Sequence, residues 1–379
     1  MTSSSDIDSA KERKYDVAAY IWPAYTGTEP RTRIFWPEGM GEWETVREMR
    51  PRFEGHQWPR KPLWGYCDEA NPDVMRMQID AAADHGVNVF IYDWYWYDNR
   101  PFLEQCLNDG FLKATNNSRM HFYLMWANHD ATTGWDRRIS YLPQTTIWQG
   151  AVNRAQFEVV AHRIIDQYFS HPQYYKIDGA PVFMIYDLRN LVKGLGGTKE
   201  TRKALDWFRS ETIKAGFSNL NLQLTWWNKW ATMQSAADGE KAATPAELVT
   251  ELGFNSVTHY QFVHAVNVRR SYPVILKEME GVWEELSRDL TATYYPHVSV
   301  GWDANPRYKN FLPSIMTDTT PENIRKGFEA AKKFLDARPH IHPLVTVNSW
   351  NEWTETSYLQ PDDINGYGYL EAIKSVFVQ

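Results

Sequence analysis

The sequence has few cysteines, no excess of positive charge and no long apolar run, and each shortage excludes a class of protein. Among 379 residues only Cys67 and Cys106 are cysteines, enough for at most one disulfide bond and too few for a disulfide-rich scaffold. The 40 Lys and Arg residues stand against 47 Asp and Glu residues, and this net charge of −7 argues against nucleic acid as a partner. No segment approaches the roughly 20 apolar residues that cross a bilayer, so we expect no membrane span.

Aromatic side chains, by contrast, are abundant, with 18 Trp, 21 Tyr and 17 Phe residues. Their flat faces stack on the C–H faces of sugar rings, while the N–H and O–H groups of Trp and Tyr remain available for hydrogen bonds. Aromatic residues also fill ordinary cores, so composition alone leaves sugar binding and core packing open. Their positions along the chain have to decide between the two.

Short apolar runs alternate with amphipathic segments of helical spacing along the chain. Eight runs predict strands, at residues 16–21, 87–92, 121–126, 182–186, 221–226, 256–260, 297–302 and 344–350. The other segments predict helices at 72–85, 100–112, 155–169, 198–215, 245–252, 273–286, 321–337 and 367–377. Eight strand–helix units in a chain of this length predict an α/β protein with a single closed (β/α)8 barrel, the TIM barrel.

The barrel is expected to occupy residues 15–379 as one catalytic domain, because no linker or shift in composition divides the chain. The Ser-rich and charged residues 1–14 predict a disordered N-terminal tail. Residues 22–71, between the first strand and its helix, form a Trp-, Arg- and Gly-rich stretch that is long for a loop in a barrel. We expect this long first loop to wall the mouth of the barrel.

In such a barrel the catalytic groups come from the carboxyl ends of the strands and the loops that follow. Seven of the eight runs end with an aromatic residue beside a carboxylate or an amide, which sugar recognition predicts and core packing does not. The strand ends predicted to bind substrate are Tyr20, Asp93, Trp94, Trp126, Asn128, Tyr186, Trp226, Tyr260, Trp302, Asp303 and Asn351, with Asn228 beside them. The long first loop is predicted to add Glu54 and His56.

Two carboxylates three residues apart, Glu352 and Glu355, follow the last run. If the chain turns after Trp350, as the break in alternation indicates, both carboxylates fall on one side. Glycoside hydrolysis needs such a pair, with one carboxyl protonated and the other ionised. A solvated acidic loop is the alternative, and the flanking Trp353 and Tyr358 disfavour it because such a loop has no need of aromatic surface.

Motifs of other chemistries are missing from the sequence. It has no Gly-x-Ser-x-Gly elbow, no Gly-rich phosphate loop and no His-Glu-x-x-His pattern. His56, His129 and His259 lie on different units without the close spacing of metal ligands. We therefore expect catalysis without a metal or a cofactor.

Several segments together resemble the glycoside hydrolase family 99-like group, which includes the WbsX proteins of polysaccharide loci. These segments are residues 53–62, 93–96, 126–128, 300–306 and 347–355, in that order. The resemblance implies a (β/α)8 barrel that hydrolyses O-glycosidic bonds of α-linked glycans and degrades polysaccharide, with a manno-configured sugar as the expected substrate.

The resemblance also implies roles for the two glutamates. In the family 99 endo-α-mannosidases an Asn-Glu-Trp-x-Glu motif carries catalysis, and by position its glutamates are Glu352 and Glu355. The first would draw the proton from the sugar's 2-hydroxyl to give a 1,2-anhydro sugar, and the second would protonate the leaving oxygen and then activate water, with net retention. Thr356 stands where relatives tend to have Gly, and Gln360 where they often have Glu, so the turn here is expected to differ.

Two other functions remain open at this stage. A glycosyltransferase or polysaccharide-assembly enzyme would need a donor site, but the sequence has no phosphate-binding Gly loop and no Asp-x-Asp motif of the metal-dependent transferase type. A non-catalytic carbohydrate-binding barrel would keep the aromatic residues but has no use for paired carboxylates. The expected partner is an oligosaccharide or polysaccharide, and the expected location is the periplasm, the cell surface or the exterior, with the cytoplasm as the alternative.

Overall fold

A ring of parallel strands forms the centre of the protein in a computed structural model that describes residues 14–227 and 243–378. Its strands are Asp16–Ile21, Val89–Tyr97, His121–Trp126, Ala180–Ile185, Asn221–Thr225, Ser256–Thr258, Thr293–Tyr294, His297–Ser299 and Leu344–Asn348. Each strand up to Ser256–Thr258 pairs in parallel with the next in the chain, and the first also pairs with the last. The predicted strands are therefore present in the predicted order.

The ring closes through a seventh strand that is split in two. Thr293–Tyr294 pairs with Ser256–Thr258, whereas His297–Ser299 pairs with Leu344–Asn348. Pro296 lies in the interruption, where it has no N–H to donate to a ladder. Because the two halves join opposite ends of the sheet, the sheet is closed, and the predicted (β/α)8 barrel is confirmed.

Helices surround the ring. They are Trp43–Glu48, Pro72–Asp84, Arg154–Ile164, Leu188–Leu195, Thr198–Lys214, Pro245–Leu252, Tyr272–Asp289, Pro321–Asp336 and Gly368–Phe377, and π-helical turns cover Cys106–Phe111 and Ile165–Phe169. Several begin where the sequence indicates. Thr244 and Glu247 form a capping box ahead of the sixth helix, and Asn71 caps the helix that begins at Pro72.

The helix predicted over residues 100–112 is mostly wrong. The strand Val89–Tyr97 turns back into a short antiparallel strand, Arg100–Phe102, and only Cys106–Phe111 is helical. The two turn residues, Asp98 and Asn99, both have left-handed backbone angles, with φ of 53° and 58°. Such a two-residue turn matches the twist of a hairpin, which is why the strand reverses here and does not lead into a helix.

The long first loop, residues 22–71, contains a 3-10 turn at Pro30–Ile34 and the helix Trp43–Glu48. Four of its carboxylates are buried, namely Glu29, Glu42, Glu44 and Glu69. Glu69 accepts hydrogen bonds from the side chains of Asn351 and Gln360, so the loop is tied to the segment that follows the last strand.

Some expectations concern other parts of the chain. The predicted tail, apart from Lys14, and Asn228 lie outside the described residues. Among the described residues, no helix has both the length and the apolar character to span a membrane. Cys67 and Cys106 are both free thiols.

Gly301 lies just beyond the strand His297–Ser299, where the chain passes close to residue 356. A Cβ atom at residue 301 would lie 2.1 Å from the carbonyl oxygen of Thr356. Gly301→Ala should therefore displace one of the two segments and lower the free energy of unfolding by about 1–3 kcal/mol in chemical denaturation.

Gly281, inside the helix Tyr272–Asp289, provides the matched control because open space surrounds it. Gly281→Ala should raise the free energy of unfolding by about 0.5–1 kcal/mol. A Gly301→Ala variant as stable as the wild type would contradict the close approach.

Candidate active site

The two glutamates lie on a tight hairpin after the last barrel strand. Asn351–Glu352 pairs antiparallel with Ser357–Tyr358, and Trp353–Glu355 forms the 3-10 turn between them. The turn expected after Trp350 is thus present, and both carboxylates line one cavity of about 330 Å³ at the carboxyl ends of the strands.

Thr356 closes this hairpin in an unusual conformation. Its φ is 55°, in the left-handed region that a β-branched residue rarely adopts. The Thr356 hydroxyl donates a hydrogen bond of 2.8 Å to the carbonyl oxygen of Asp303, and the Asp303 N–H donates to the carbonyl oxygen of Glu355 at 2.8 Å. These bonds hold a turn that Gly would form without strain.

Arg307 is the cation at the centre of the site. Its Nη1 donates to Glu355 Oε1 at 2.7 Å, its Nη2 lies 3.4 Å from Glu352 Oε1, and its Nε lies 3.2 Å from Glu42 Oε1. Nη2 also donates to the Thr354 hydroxyl at 2.8 Å. One buried guanidinium group therefore orients three buried or nearly buried carboxylates.

Burial and like charge raise the pKa of Glu355 to about 8. Burial is the larger cause, the negative charge of Glu352 adds to it, and Arg307 opposes both. Burial also raises the pKa of Glu42. At neutral pH the Glu355 carboxyl is therefore mainly protonated, the state that a general acid requires.

Tyr260 connects Glu352 to a third carboxyl group. Its hydroxyl oxygen lies 2.7 Å from Glu352 Oε2 and 3.0 Å from Asp93 Oδ2. Burial, and then the negative charge of Glu352, raise the pKa of Asp93 well above its ordinary value. The carboxyl pair predicted from sequence is thus part of a larger cluster.

Aromatic rings form much of the cavity wall. They belong to Trp22, Tyr95, Trp135, Tyr186, Trp227 and Tyr260. His129 and Asp187 also line the cavity, and burial lowers the pKa of His129, which favours its neutral form. The wall combines flat apolar faces with hydrogen-bonding groups, as a sugar site requires.

The structure separates the predicted site residues into three groups. Asp93, Tyr186, Tyr260, Glu352 and Glu355 line the central cavity. His56, Trp302 and Asp303 line a second cavity of about 340 Å³. Neither cavity is lined by Tyr20, Glu54, Trp94, Trp126, Asn128, Trp226 or Asn351.

Strand geometry explains why several of these residues lie elsewhere. Alternate residues of a strand point to opposite faces, so Asp93 and Tyr95 face the cavity while Trp94 points to the helices. There the Trp94 Nε1–H donates to Glu104 Oε1 at 2.9 Å. Met125 and Ala127 likewise line the cavity, and Trp126 between them is buried against Trp94.

The other predicted residues that line neither cavity form hydrogen bonds to the backbone, are buried or are exposed away from the site. Asn128 exchanges two 2.7 Å hydrogen bonds with the backbone of Asp187, and Asn351 bonds the backbone of Trp22. The Tyr20 hydroxyl donates to the His259 carbonyl oxygen at 2.9 Å. Glu54 is exposed on the long first loop and Trp226 is largely buried.

A third cavity, of about 430 Å³, lies next to the other two. It shares Glu355 with the central cavity and Trp302 with the second cavity. The third cavity is therefore a neighbour of both, and we refer to the three cavities together as the groove. Within residues 14–227 and 243–378 no group of three His, Cys, Asp or Glu residues is arranged to hold a metal ion.

Residues 17–373 match the family model described as Glycosyltransferase WbsX. The chain belongs to the WbsX family. The uncharacterised protein WxcX of Xanthomonas campestris pv. campestris is similar, with 26% identity over 361 residues that cover 92% of this chain and 48% of WxcX. The chain thus spans about half the length of the curated relatives that it matches.

Solved structures share the fold of this WbsX family member. The GH99 endo-alpha-mannosidase from Bacteroides thetaiotaomicron has 13% identity and a TM-score of 0.60, with 95% of both chains covered. A glycoside hydrolase-like protein has 16% identity and a TM-score of 0.61, with 96% of this chain and 94% of the other covered. At these identities the likeness shows the barrel fold.

Two central residues of this WbsX site, Arg307 and Glu42, were missed by the sequence analysis. Arg307 directly follows the segment 300–306 that carries part of the resemblance, so its position was a usable signal. Glu42 lies in the long first loop, 265 positions from Arg307, and no local pattern marks it.

Replacing Arg307 should destabilise the protein strongly. Arg307→Met leaves uncompensated carboxylates in a buried site, and we expect a loss of about 3–5 kcal/mol in the free energy of unfolding at neutral pH. The loss should shrink as the pH falls, because protonated carboxyl groups need no counter-charge. Thermal unfolding at neutral pH and at successively lower pH measures both the loss of stability and its dependence on pH.

Arg47→Met is the matched control, since Arg47 pairs with Glu38 on the surface. Its cost should stay within about 1 kcal/mol. An Arg307→Met loss that is equally small, or independent of pH, would contradict the assigned role.

Proposed function

We propose that the protein is a glycoside hydrolase that cleaves α-linked glycans with retention of configuration, a manno-configured sugar being the expected substrate. The observation that carries the proposal is the pair Glu352 and Glu355 on one guanidinium group, in a cavity walled by aromatic rings. A hydrolase needs one carboxyl that gives a proton and one that is ionised. The raised pKa of Glu355 and the contacts of Glu352 with Arg307 and Tyr260 support this division.

In the proposed reaction Glu355 protonates the leaving oxygen and later takes a proton from water. Glu352 draws the proton from the substrate's 2-hydroxyl, so that a 1,2-anhydro sugar forms, or attacks C1 directly in the ordinary double displacement. Either route gives net retention. Arg307 keeps its positive charge between the two carboxylates throughout.

The groove supports an oligosaccharide or polysaccharide as the substrate. The cavities of the groove have aromatic and hydroxyl-bearing walls and lie side by side, with Glu355 lining one and His56 another, so sugar residues beyond the scissile bond have surface to contact. Export to the periplasm or cell surface, as against a cytoplasmic location, stays a prediction.

A glycosyltransferase is the second candidate, because the matching family model has that description. A hydrolase consumes a glycan and water, whereas the transferase would consume a nucleotide sugar. Incubation with a panel of α-linked oligosaccharides and bacterial or plant polysaccharides should release new reducing ends. Release of nucleoside diphosphate from nucleotide sugars, without hydrolysis of any glycan, would favour the transferase.

The two glutamates should respond differently to substitution. Glu355→Gln should lower kcat/KM by about 10² to 10⁴, with partial rescue by an activated phenol leaving group that needs no proton. Glu352→Gln should lose activity without that rescue, because an easier departure does not replace its action near C1. In the wild type, kcat/KM should fall as the pH rises through about 8, and this limb should disappear in Glu355→Gln.

A 2-fluoro substrate distinguishes the two routes for Glu352. A base that acts on the 2-hydroxyl has nothing to deprotonate, whereas a direct nucleophile becomes trapped as a glycosyl-enzyme. We expect no adduct by mass spectrometry. A covalent adduct on Glu352 would establish the ordinary double displacement.

His56 is predicted to bind substrate in the groove. Its Nδ1 accepts the Arg52 N–H at 3.1 Å, so its Nε2 donates to Asp303 Oδ2 at 2.7 Å. His56→Ala should raise KM on a true glycan while the protein stays folded. Glu54→Ala, on the same loop but exposed and outside the groove, should leave the kinetics unchanged, and equal behaviour of the two variants would refute the role of His56.

A further inference from the structure

Asp93 is a buried carboxyl group that has no cationic partner among the residues that the structure describes. Asp93 is 3% exposed, and no group in residues 14–227 or 243–378 forms a hydrogen bond with its Oδ1. Its Oδ2 contacts only the Tyr260 hydroxyl among the hydrogen bonds of the described residues. An ionised carboxylate in this position would be desolvated and unpaired, which is costly.

If Asp93 and Glu352 were both ionised, the two contacts of the Tyr260 hydroxyl would have only one hydrogen atom between them. Tyr260 contacts both Asp93 and Glu352 at hydrogen-bond distance, but its hydroxyl carries one hydrogen atom. Ionised carboxylates only accept. The second contact therefore needs another proton, on one of the two carboxyl groups.

The surroundings decide which carboxyl holds that proton. Glu352 lies 3.4 Å from the Arg307 guanidinium, which stabilises a negative charge there. In the described part of the chain, the titratable groups that interact with Asp93 are Glu352, Glu355 and the hydroxyls of Tyr20, Tyr95, Tyr186 and Tyr260. None of these is a cation, so Asp93 is the more favourable place for the proton.

We propose that Asp93 is a neutral carboxylic acid in the resting protein, which donates its hydrogen to the Tyr260 oxygen and thereby directs the Tyr260 hydrogen to Glu352. Asp93 is then a positioning residue, which acts on Glu352 through Tyr260. The burial and like charge that raise the pKa of Asp93 agree with this assignment. The kinetic consequence rests on the proposed function, whereas the protonation state does not.

Infrared spectroscopy tests the protonation state without any substrate. With ¹³C-labelled aspartate, the wild type at neutral pH should show the C=O stretching band of a protonated aspartic acid. Asp93→Asn should remove that band, and Asp136→Asn, at another buried Asp with Arg138 as its ion-pair partner, should leave it intact. If the wild type has no such band, or if Asp93→Asn retains it, the proposal is wrong.

The pH profile tests the consequence for catalysis. If Asp93 is neutral, Asp93→Asn keeps a hydrogen-bond donor and changes no charge. The fall of kcat/KM with rising pH should then have its midpoint near pH 8, as in the wild type. If Asp93 is an anion, removing its charge lowers the pKa of Glu355 and moves the limb to lower pH, which would overturn the proposal.

Asp93→Ala removes the donor, and kcat/KM should fall about 10- to 100-fold, the change expected from one lost buried hydrogen bond. If Asp93→Ala does not fold, Asp93→Asn and the infrared band still decide. A positive infrared result without hydrolysis of any glycan would refute the proposed function alone.

Discussion

The guanidinium group of Arg307 is the interaction on which the rest of the site depends. It contacts Glu42 from the long first loop and both glutamates of the final hairpin, so it joins segments more than 260 positions apart. Three carboxylates this close would repel one another, and burial would add the cost of desolvation. Arg307 lies between them and offsets this repulsion, while burial and the neighbouring negative charge of Glu352 raise the pKa of Glu355.

Much of the fold could be predicted because its signals are local. The apolar runs and the caps at residues such as Asn71 and Thr244 each depend on a few neighbouring residues. The turn that follows Trp350 and carries Glu352 and Glu355 was also visible, as a break in alternation. The helix predicted over residues 100–112 is mostly wrong because one local signal was overlooked. The turn residues Asp98 and Asn99, both with left-handed backbone angles, reverse the strand.

The site itself was predicted less completely, because the aromatic residues at the strand ends serve two purposes. Some line the cavity, and others pack in the core. Adjacent residues of a strand face opposite ways, so Asp93 and Tyr95 face the cavity and Trp94 packs beneath the helices. A list of the residues at the strand ends therefore includes residues that face the cavity and residues that pack in the core. Glu42 lies outside any such list, because its place beside Arg307 is set by the course of the long first loop and by nothing in its own sequence neighbourhood.

Pairing of the first strand with the last has a consequence for how the protein matures on the ribosome. Asp16–Ile21 finds its second neighbour only when Leu344–Asn348 has been synthesised, and Glu352 and Glu355 follow still later. Until then the first strand has an open edge and Arg307 lacks two of its three carboxylates. A nascent or prematurely ended chain therefore lacks the complete carboxylate cluster around Arg307, because both glutamates follow the strand that closes the barrel.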